Sequence, residues 1–252
     1  MNQHLEDYLS SKDYQQITQD CIIWIRDWFA QNGPQSPVII GVSGGKDSSI
    51  VSALCVEALG KDRVLGVMMP NGTQSDISVS RDLVSYLGIT NWEVNIHDSV
   101  EAVRNSILVN GIQPSAQMGL NVPPRIRMTT LYAISQCFGG RVSNNCNRSE
   151  NYIGYSTIFG DAAGDFSPLA NLTVAEVRKI GDALKLPEEF VYKAPSDGLS
   201  GKTDEDSIGF TYEALDTLIL TGYCPDEELR EKIEKRHKAN LFKLKPMPEF
   251  VF

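Results

Sequence analysis

Cationic residues are scarce in this chain. Its 252 residues carry 23 lysines and arginines against 32 aspartates and glutamates, a formal net charge of −9. A chain with that balance lacks the positive field that general nucleic-acid binding or attachment to an anionic membrane surface needs, so an anionic ligand must be met by a local basic cluster. Cysteine is also sparse. Cys21, Cys55, Cys137, Cys146 and Cys224 form no C-x-x-C pair. That spacing argues against a disulfide framework or zinc site and for free thiols in a reducing cytoplasm. No apolar run approaches the roughly 20 residues of a membrane span. The opening MNQHLEDYLSSKDY has no signal-peptide core. The expectation is a cytoplasmic protein with neither a nucleic acid nor a membrane as partner.

With 42% hydrophobic and 22% charged residues, the composition is that of an ordinary globular chain with enough length for a sizeable core. Residues 13–31 place Ile17, Cys21, Trp24, Ile25 and Trp28 at helical spacing, and Asn32-Gly33-Pro34 stops that helix. A short apolar run at 38–42 predicts a buried parallel strand, followed by a helix over 48–59. Further strands are expected at 64–69, 92–96 and 141–144. Helices are expected at 76–87, from an Asp98 cap to Val109, and at 121–138 with Pro123 and Pro124 in the first turn. Thr173-Val-Ala-Glu176 reads as a capping box opening a helix to about Leu184. Alternation of this kind predicts an α/β fold, a doubly wound parallel sheet in three α/β/α layers, with ligands beyond the carboxyl ends of its strands. Two long polar loops, 160–171 and 192–206, look functional or mobile, and the second is expected to order only when ligand binds.

The stretch Val38–Ser52 reads VIIGVSGGKDSSIVS. Gly44 and Gly45 permit a tight turn and close backbone approach to a ligand. The turn's amides and the following helix N-terminus make an anion site, to which Ser43, Ser48, Ser49 and Lys46 add donors. Asp47 is the odd member. A carboxylate beside a phosphate repels it unless a cation lies between, and Mg²⁺ binds through one or two carboxylates plus phosphate oxygens. The stretch is not a Walker loop: Ile40 stands where the first glycine belongs, and Asp47 follows the lysine.

S-G-G-x-D-S at Ser43–Ser48 resembles the pyrophosphatase-loop adenylating superfamily, which cleaves ATP between its α and β phosphates. An ordered set of further segments resembles ammonia-dependent NAD synthetase: Met69–Asp76, Asn121–Met128, Asn147-Arg-Ser-Glu150, Gly160-Asp161 with Asp165, Pro195–Leu199 and Thr203–Asp206. The likeness implies an adenine nucleotide α-hydrolase-like fold. It implies adenylation of the nicotinate carboxylate of deamido-NAD by ATP with Mg²⁺, then displacement of AMP by ammonia. By resemblance, Asp47, Lys46 and Asp165 are catalytic, and Asp47 and Glu150 hold the metal. Gly41, Val42, Ser43, Gly44, Gly45, Lys46, Asp47, Ser48, Asn145 and Ser196 meet ATP. Arg125, Asp165, His237 and Lys238 meet deamido-NAD. The family is typically a homodimer, and the helix with Trp24, Trp28 and Phe29 is a candidate contributor to its interface. A glutaminase needs a couple of hundred further residues, so the expectation is one synthetase-like domain over 1–252 using free ammonia.

Plainer readings stand beside these roles. Glu150 can cap a helix in an N-x-x-E box with Asn147, Arg125 and Arg127 can be an exposed pair, and His237-Lys238 can lie on a solvated face. Three positions depart from the family pattern. Ile158 and Val174 replace lysines, and Asn144-Asn145 replaces Gly-Thr. Each lost charge-assisted contact is worth about 1.5–3 kcal/mol, with Lys193 and Lys202 as possible substitutes. Another acceptor, or a non-catalytic nucleotide-binding homologue, therefore remains open.

Overall fold

The computed structural model describes residues 2–192 and 204–250. The chain opens with α1 (Gln3–Ser10) and α2 (Tyr14–Asn32), the latter capped by the Asp13 carboxylate, which accepts from the Gln16 amide. Thr18, Ile22, Ile25 and Phe29 form its buried stripe, at the spacing of one helical face. That face packs on the helices behind the sheet. Truncating a fully buried phenylalanine such as Phe29 costs about 3–5 kcal/mol. Trp28 stacks on Phe166 at 5.0 Å. The apolar side of α2 is thus mostly core, and Trp24, 44% exposed, is its main outward aromatic.

Then come β1 (Val38–Gly41), α3 (Lys46–Leu59), β2 (Val64–Met68), α4 (Ile77–Leu87) and β3 (Thr90–Glu93). They are followed by α5 (His97–Leu108), α6 (Ala116–Phe138) and β4 (Arg141–Val142). The sheet runs β3-β2-β1-β4 and every pairing is parallel, with Val38 opposite both Val64 and Arg141. Val38, Ile39, Ile40 and Val67 are completely buried, as the continuous apolar run required. Helices cover both faces, giving three α/β/α layers. The remainder is helical: α7 (Arg148–Ile153), α8 (Val174–Ala183), α9 (Glu188–Val191), α10 (Asp204–Ile208), α11 (Tyr212–Thr221) and α12 (Glu227–Asn240).

Several boundaries differ from those read in the sequence. The strand expected at 92–96 begins at Thr90, because an edge strand can pair through polar, exposed residues that carry no apolar signal. Its ladder still reaches on, with the Val94 and Ile96 amides donating to the carbonyls of Met68 and Pro70. The last strand ends at Val142, since Asn144 turns away to donate to Phe166. Asp98 lies in the first turn of α5 and does not cap it; the Asn95 side chain accepts the His97 amide instead. α6 starts at Ala116, where Ser115 accepts from Met118. Pro123 and Pro124 therefore sit two turns inside, where neither can donate to the carbonyl four residues back. α3 starts at Lys46, two residues early, because the Ser48 and Ser49 hydroxyls both close on the Gly45 carbonyl.

The loop at 160–171 is packed. Phe166 and Leu169 are buried, and Asn144 donates to the carbonyls of Asp161 and Ala163. Most of the second suspected loop, 193–203, lies outside the described residues. All five cysteines are free. Among the described residues no helix is long and apolar enough to cross a membrane.

Candidate active site at the carboxyl edge of the sheet

The turn from β1 into α3 is built by its own hydroxyls. Ser43 and Ser48 share a hydrogen bond of 3.1 Å, and the Gly45 amide donates to Ser43 Oγ at 3.2 Å. Gly44 has φ +76°, and a Cβ there would lie 2.9 Å from Ser80 Oγ, so both conformation and space call for glycine. Beyond this turn the first amides of α3 have no intrahelical acceptor and point their partial positive charge at the rim. Gly41 and Val42 end the strand below. Asn145 leans across from the β4 side, donating to the Gly41 carbonyl at 3.1 Å and accepting from Ser143 Oγ.

Under the turn lies a buried charged group. Lys46 is 4% exposed, and its Nζ donates to Asp47 Oδ2 at 2.8 Å. The other oxygen of Asp47, Oδ1, accepts from Asn147 Nδ2 at 3.1 Å. Asn147 is also the cap of α7: its Oδ1 accepts the Glu150 amide at 3.0 Å, while Glu150 Oε2 accepts the Asn147 amide at 3.1 Å. The capping reading of Glu150 is therefore correct, and the same box carries Glu150 to Asp47. Burial first, and then the Asp47 charge, push the Glu150 carboxyl well above the usual carboxylate range, with Lys46 opposing. Burial works against the Lys46 ammonium, but Asp47 and Glu150 outweigh it and raise its pKa above the ordinary lysine value. Lys46 Nζ also lies 5.7 Å over the Tyr212 ring.

A model of the NAD synthase family matches residues 17–250. The chain belongs to the NAD synthase family.

It is accordingly an enzyme of the carbon–nitrogen ligase class. It is 33% identical to the NH3-dependent NAD+ synthetase of Finegoldia magna over 95% of this chain and 98% of that one. With the synthetase of Methanococcus aeolicus it shares 41% identity over 73% of each chain. The structure of NMN synthetase from Francisella tularensis superposes with a TM-score of 0.86 at 31% identity, over 96% of this chain and 100% of that one. NH3-dependent NAD synthetase from Campylobacter jejuni gives 0.75 at 30% identity, over 96% and 100%.

In this NAD synthase family member, the other expected site residues divide. Arg125 donates from α6 to the Ile158 carbonyl at 3.3 Å, so two of the singled-out positions meet. Asp165 is occupied structurally: Oδ2 accepts the Val142 amide at 2.7 Å and Oδ1 the Tyr132 hydroxyl at 3.1 Å. No hydrogen bond among the described residues joins it to Asp47 or Glu150. His237 is half-buried, stacked on Tyr152 at 3.9 Å with Nδ1 2.6 Å from the Tyr152 carbonyl, which ties α12 to the helix bearing Glu150. Lys238 faces outward beside Glu234. Ser196, Lys193 and Lys202 lie outside the described residues.

Val174 is 1% exposed and packs in a cluster with Ile153, Ile208 and Tyr212. The charge expected there is absent, yet Lys46 brings a cation to the same neighbourhood, against the ring of Tyr212. Asn144, in place of glycine, is a clamp: its Oδ1 accepts from the Cys146 amide and Ser167 Oγ, and Gly164 approaches so closely that a Cβ would lie 2.5 Å from the Asn144 amide nitrogen.

Sequence reasoning missed Asn147 as the link to Asp47, Tyr212 as the lid on Lys46, and a brace below both. In that brace Ser149 Oγ donates to Asp216 at 2.5 Å and accepts the Val174 amide, while Asp216 also accepts the Ala175 amide at 2.8 Å. A signal existed for Asn147, since it opens the Asn-x-x-Glu box. None existed for Tyr212 or Asp216, which reach the site from a later helix.

Among the described residues no three His, Cys, Asp or Glu side chains form a cage for a metal. Two half-buried acids, Asp47 and Glu150, the latter bearing a raised carboxyl pKa, instead fit Mg²⁺, which takes one or two carboxylates and completes its shell with waters and phosphate oxygens.

Proposed function

We propose that the protein is an NH3-dependent NAD+ synthetase: it adenylates the nicotinate carboxylate of deamido-NAD with ATP, and ammonia displaces AMP to give the amide. The observation that carries this reading is the Asp47–Asn147–Glu150 link, centred on the buried Asn147, beneath a glycine turn at the carboxyl end of β1. The turn supplies amides for the departing pyrophosphate, with Ser43, Gly44, Gly45, Lys46 and Ser48 around it. Asp47 and Glu150 would hold Mg²⁺, which supplies electrostatic stabilisation of the charge developing on the phosphates. Asn147 orients Asp47 and Asn145 flanks the nucleotide, while Ser196, outside the described residues, is assigned to ATP by the family likeness alone. Arg125, Asp165, His237 and Lys238 are the residues that the family likeness assigns to deamido-NAD, and Asp165 would have to exchange its bonds to Val142 and Tyr132 to take part. Ammonia is the nitrogen donor, and the acidic chain with free thiols suits the cytoplasm.

A homodimer accompanies this reading. In α6 only Pro123 and Ser135 are buried, while Leu120 is 68% exposed and Val109, just before it, 82% exposed. That uncovered stretch is a further candidate face, beside the exposed Trp24 of α2, to pair with a second copy. A sedimentation measurement showing only monomer at micromolar concentration would count against it.

A second reading is favoured by the higher TM-score to the NMN synthetase. There the acceptor is nicotinate mononucleotide and the product NMN. Incubation with ATP, Mg²⁺, ammonium and each acceptor in turn separates the two. NAD and AMP in equal amounts from deamido-NAD support the first; preference for the mononucleotide supports the second; no AMP with either overturns both.

A further inference from the structure

Lys46 fills the unspecified position of S-G-G-x-D-S, so the loop pattern itself does not prescribe a cation there. The chain nevertheless buries its ammonium almost completely. Such burial is costly unless the charge is paired. It is paired directly with Asp47, one of the two acids that the preceding reading assigns to Mg²⁺, and the Glu150 charge lies close enough to favour it. Both oxygens of Asp47 already accept a hydrogen bond, Oδ2 from Lys46 Nζ at 2.8 Å and Oδ1 from Asn147 Nδ2 at 3.1 Å. Each oxygen keeps a second lone pair, but a divalent cation on Asp47 would lie beside the Lys46 ammonium and be repelled by it. Asn147 is held by the α7 capping box at both its amide and its side chain. Lys46 hangs on a flexible four-carbon stem against the face of Tyr212, a contact that a ring makes without fixing direction. The Tyr212 hydroxyl is buried without a hydrogen-bond partner among the described atoms, so nothing there latches the ring onto the lysine.

We propose that Lys46 is the resident counter-ion of the Asp47–Glu150 pair and that a divalent cation binds by displacing its ammonium. This rests on the metal reading above. In the metal-free protein Lys46 neutralises the acids; on loading, the ammonium leaves Asp47 Oδ2 and the metal takes that oxygen. Lys46 thereby sets the metal affinity of the free enzyme low, whatever it later does toward phosphate.

The test is Mn²⁺ titration of the nucleotide-free full chain by electron paramagnetic resonance, for wild type, Lys46→Met and Asp47→Asn. Lys46→Met, shown folded by circular dichroism, is expected to bind Mn²⁺ about tenfold or more tighter, the scale of removing one close charge. Unchanged or weaker affinity, including no detectable binding to either protein, overturns the proposal. Loss of binding in Asp47→Asn without a gain in Lys46→Met overturns displacement alone. Binding that survives Asp47→Asn overturns the metal reading as well. Should Lys46→Met not fold, the wild type answers by lysine ¹⁵Nζ magnetic resonance. One protected ammonium signal is expected without metal, moving when Mg²⁺ is added. A signal unmoved at Mg²⁺ concentrations that compete Mn²⁺ off the protein overturns the proposal.

Discussion

Asn147–Glu150 at the start of α7 and Thr173–Glu176 at the start of α8 are the same local device. In each, the cap side chain accepts the amide of the glutamate and the glutamate returns a bond to the cap amide. Glu176 is buried and Glu150 half-buried. Their surroundings separate them. Glu176 Oε2 takes the Thr173 amide at 2.9 Å and the Thr173 hydroxyl at 3.0 Å, so the box closes on itself. Asn147 has an amide to spare in place of that hydroxyl, and it donates to Asp47. Glu150 thus faces another acid, while Glu176 finishes a helix end. A capping box is worth about a kilocalorie wherever it occurs; what the glutamate does beyond that depends on what the fold sets against it.

The largest expected difference between the boxes is in turnover. Glu150→Gln keeps the cap acceptor and removes the charge, and AMP formation is expected to fall about a thousandfold. Glu176→Gln should stay within a few-fold of wild type. Comparable losses in the two would break the distinction.

Stability should run the other way. Glu176→Ala leaves the Thr173 amide without its partner and should lower the urea-derived unfolding free energy by about 1–2 kcal/mol, with AMP formation retained. In the metal-free protein Glu150→Gln should raise the melting temperature, because it relieves a half-buried acid set against Asp47. A drop instead would show that the Lys46 pairing outweighs that repulsion.

The last difference concerns the brace beneath both boxes and shows only as a pH dependence. Asp216 binds Ser149 of one helix and the Ala175 amide of the other, and burial pushes its carboxyl up to about 6 from the ordinary 3.8. A folded pKa above the unfolded one means that the native state holds the extra proton. Stability therefore falls as pH rises from about 4 to about 6 and levels off above. Asp216→Asn should flatten that part of a pH series of unfolding midpoints. An unchanged slope would remove Asp216 as its source.

Legibility followed the range of the interactions. The S-G-G-K-D-S turn, both boxes, α2 and the succession of strands along the chain were readable because each is written in neighbouring residues: glycines at a bend, a cap and its glutamate three apart, apolar residues at a period. β3 was placed late because an edge strand pairs through its backbone and shows polar side chains. α6 was cut short because two prolines resemble a start, and only the Ser115 cap with packing beneath shows that the helix runs through them. Ile158 and Val174 looked like bare losses of charge. The structure instead puts the Ile158 carbonyl against Arg125, and Val174 in the core beside Tyr212.

By itself the sequence determined that a phosphate-binding turn with an acid in it follows a buried strand of a parallel sheet, since backbone sterics and hydrogen bonding within a few residues require no more. Tertiary structure alone decided which acid joins it. Asn147 and Asp47 are 100 residues apart, and Tyr212 is more distant still. Their meeting depends on β4 lying beside β1 and on α11 folding back over α7. A charge can be buried only where its partner is also brought, and no local pattern records where that partner will be.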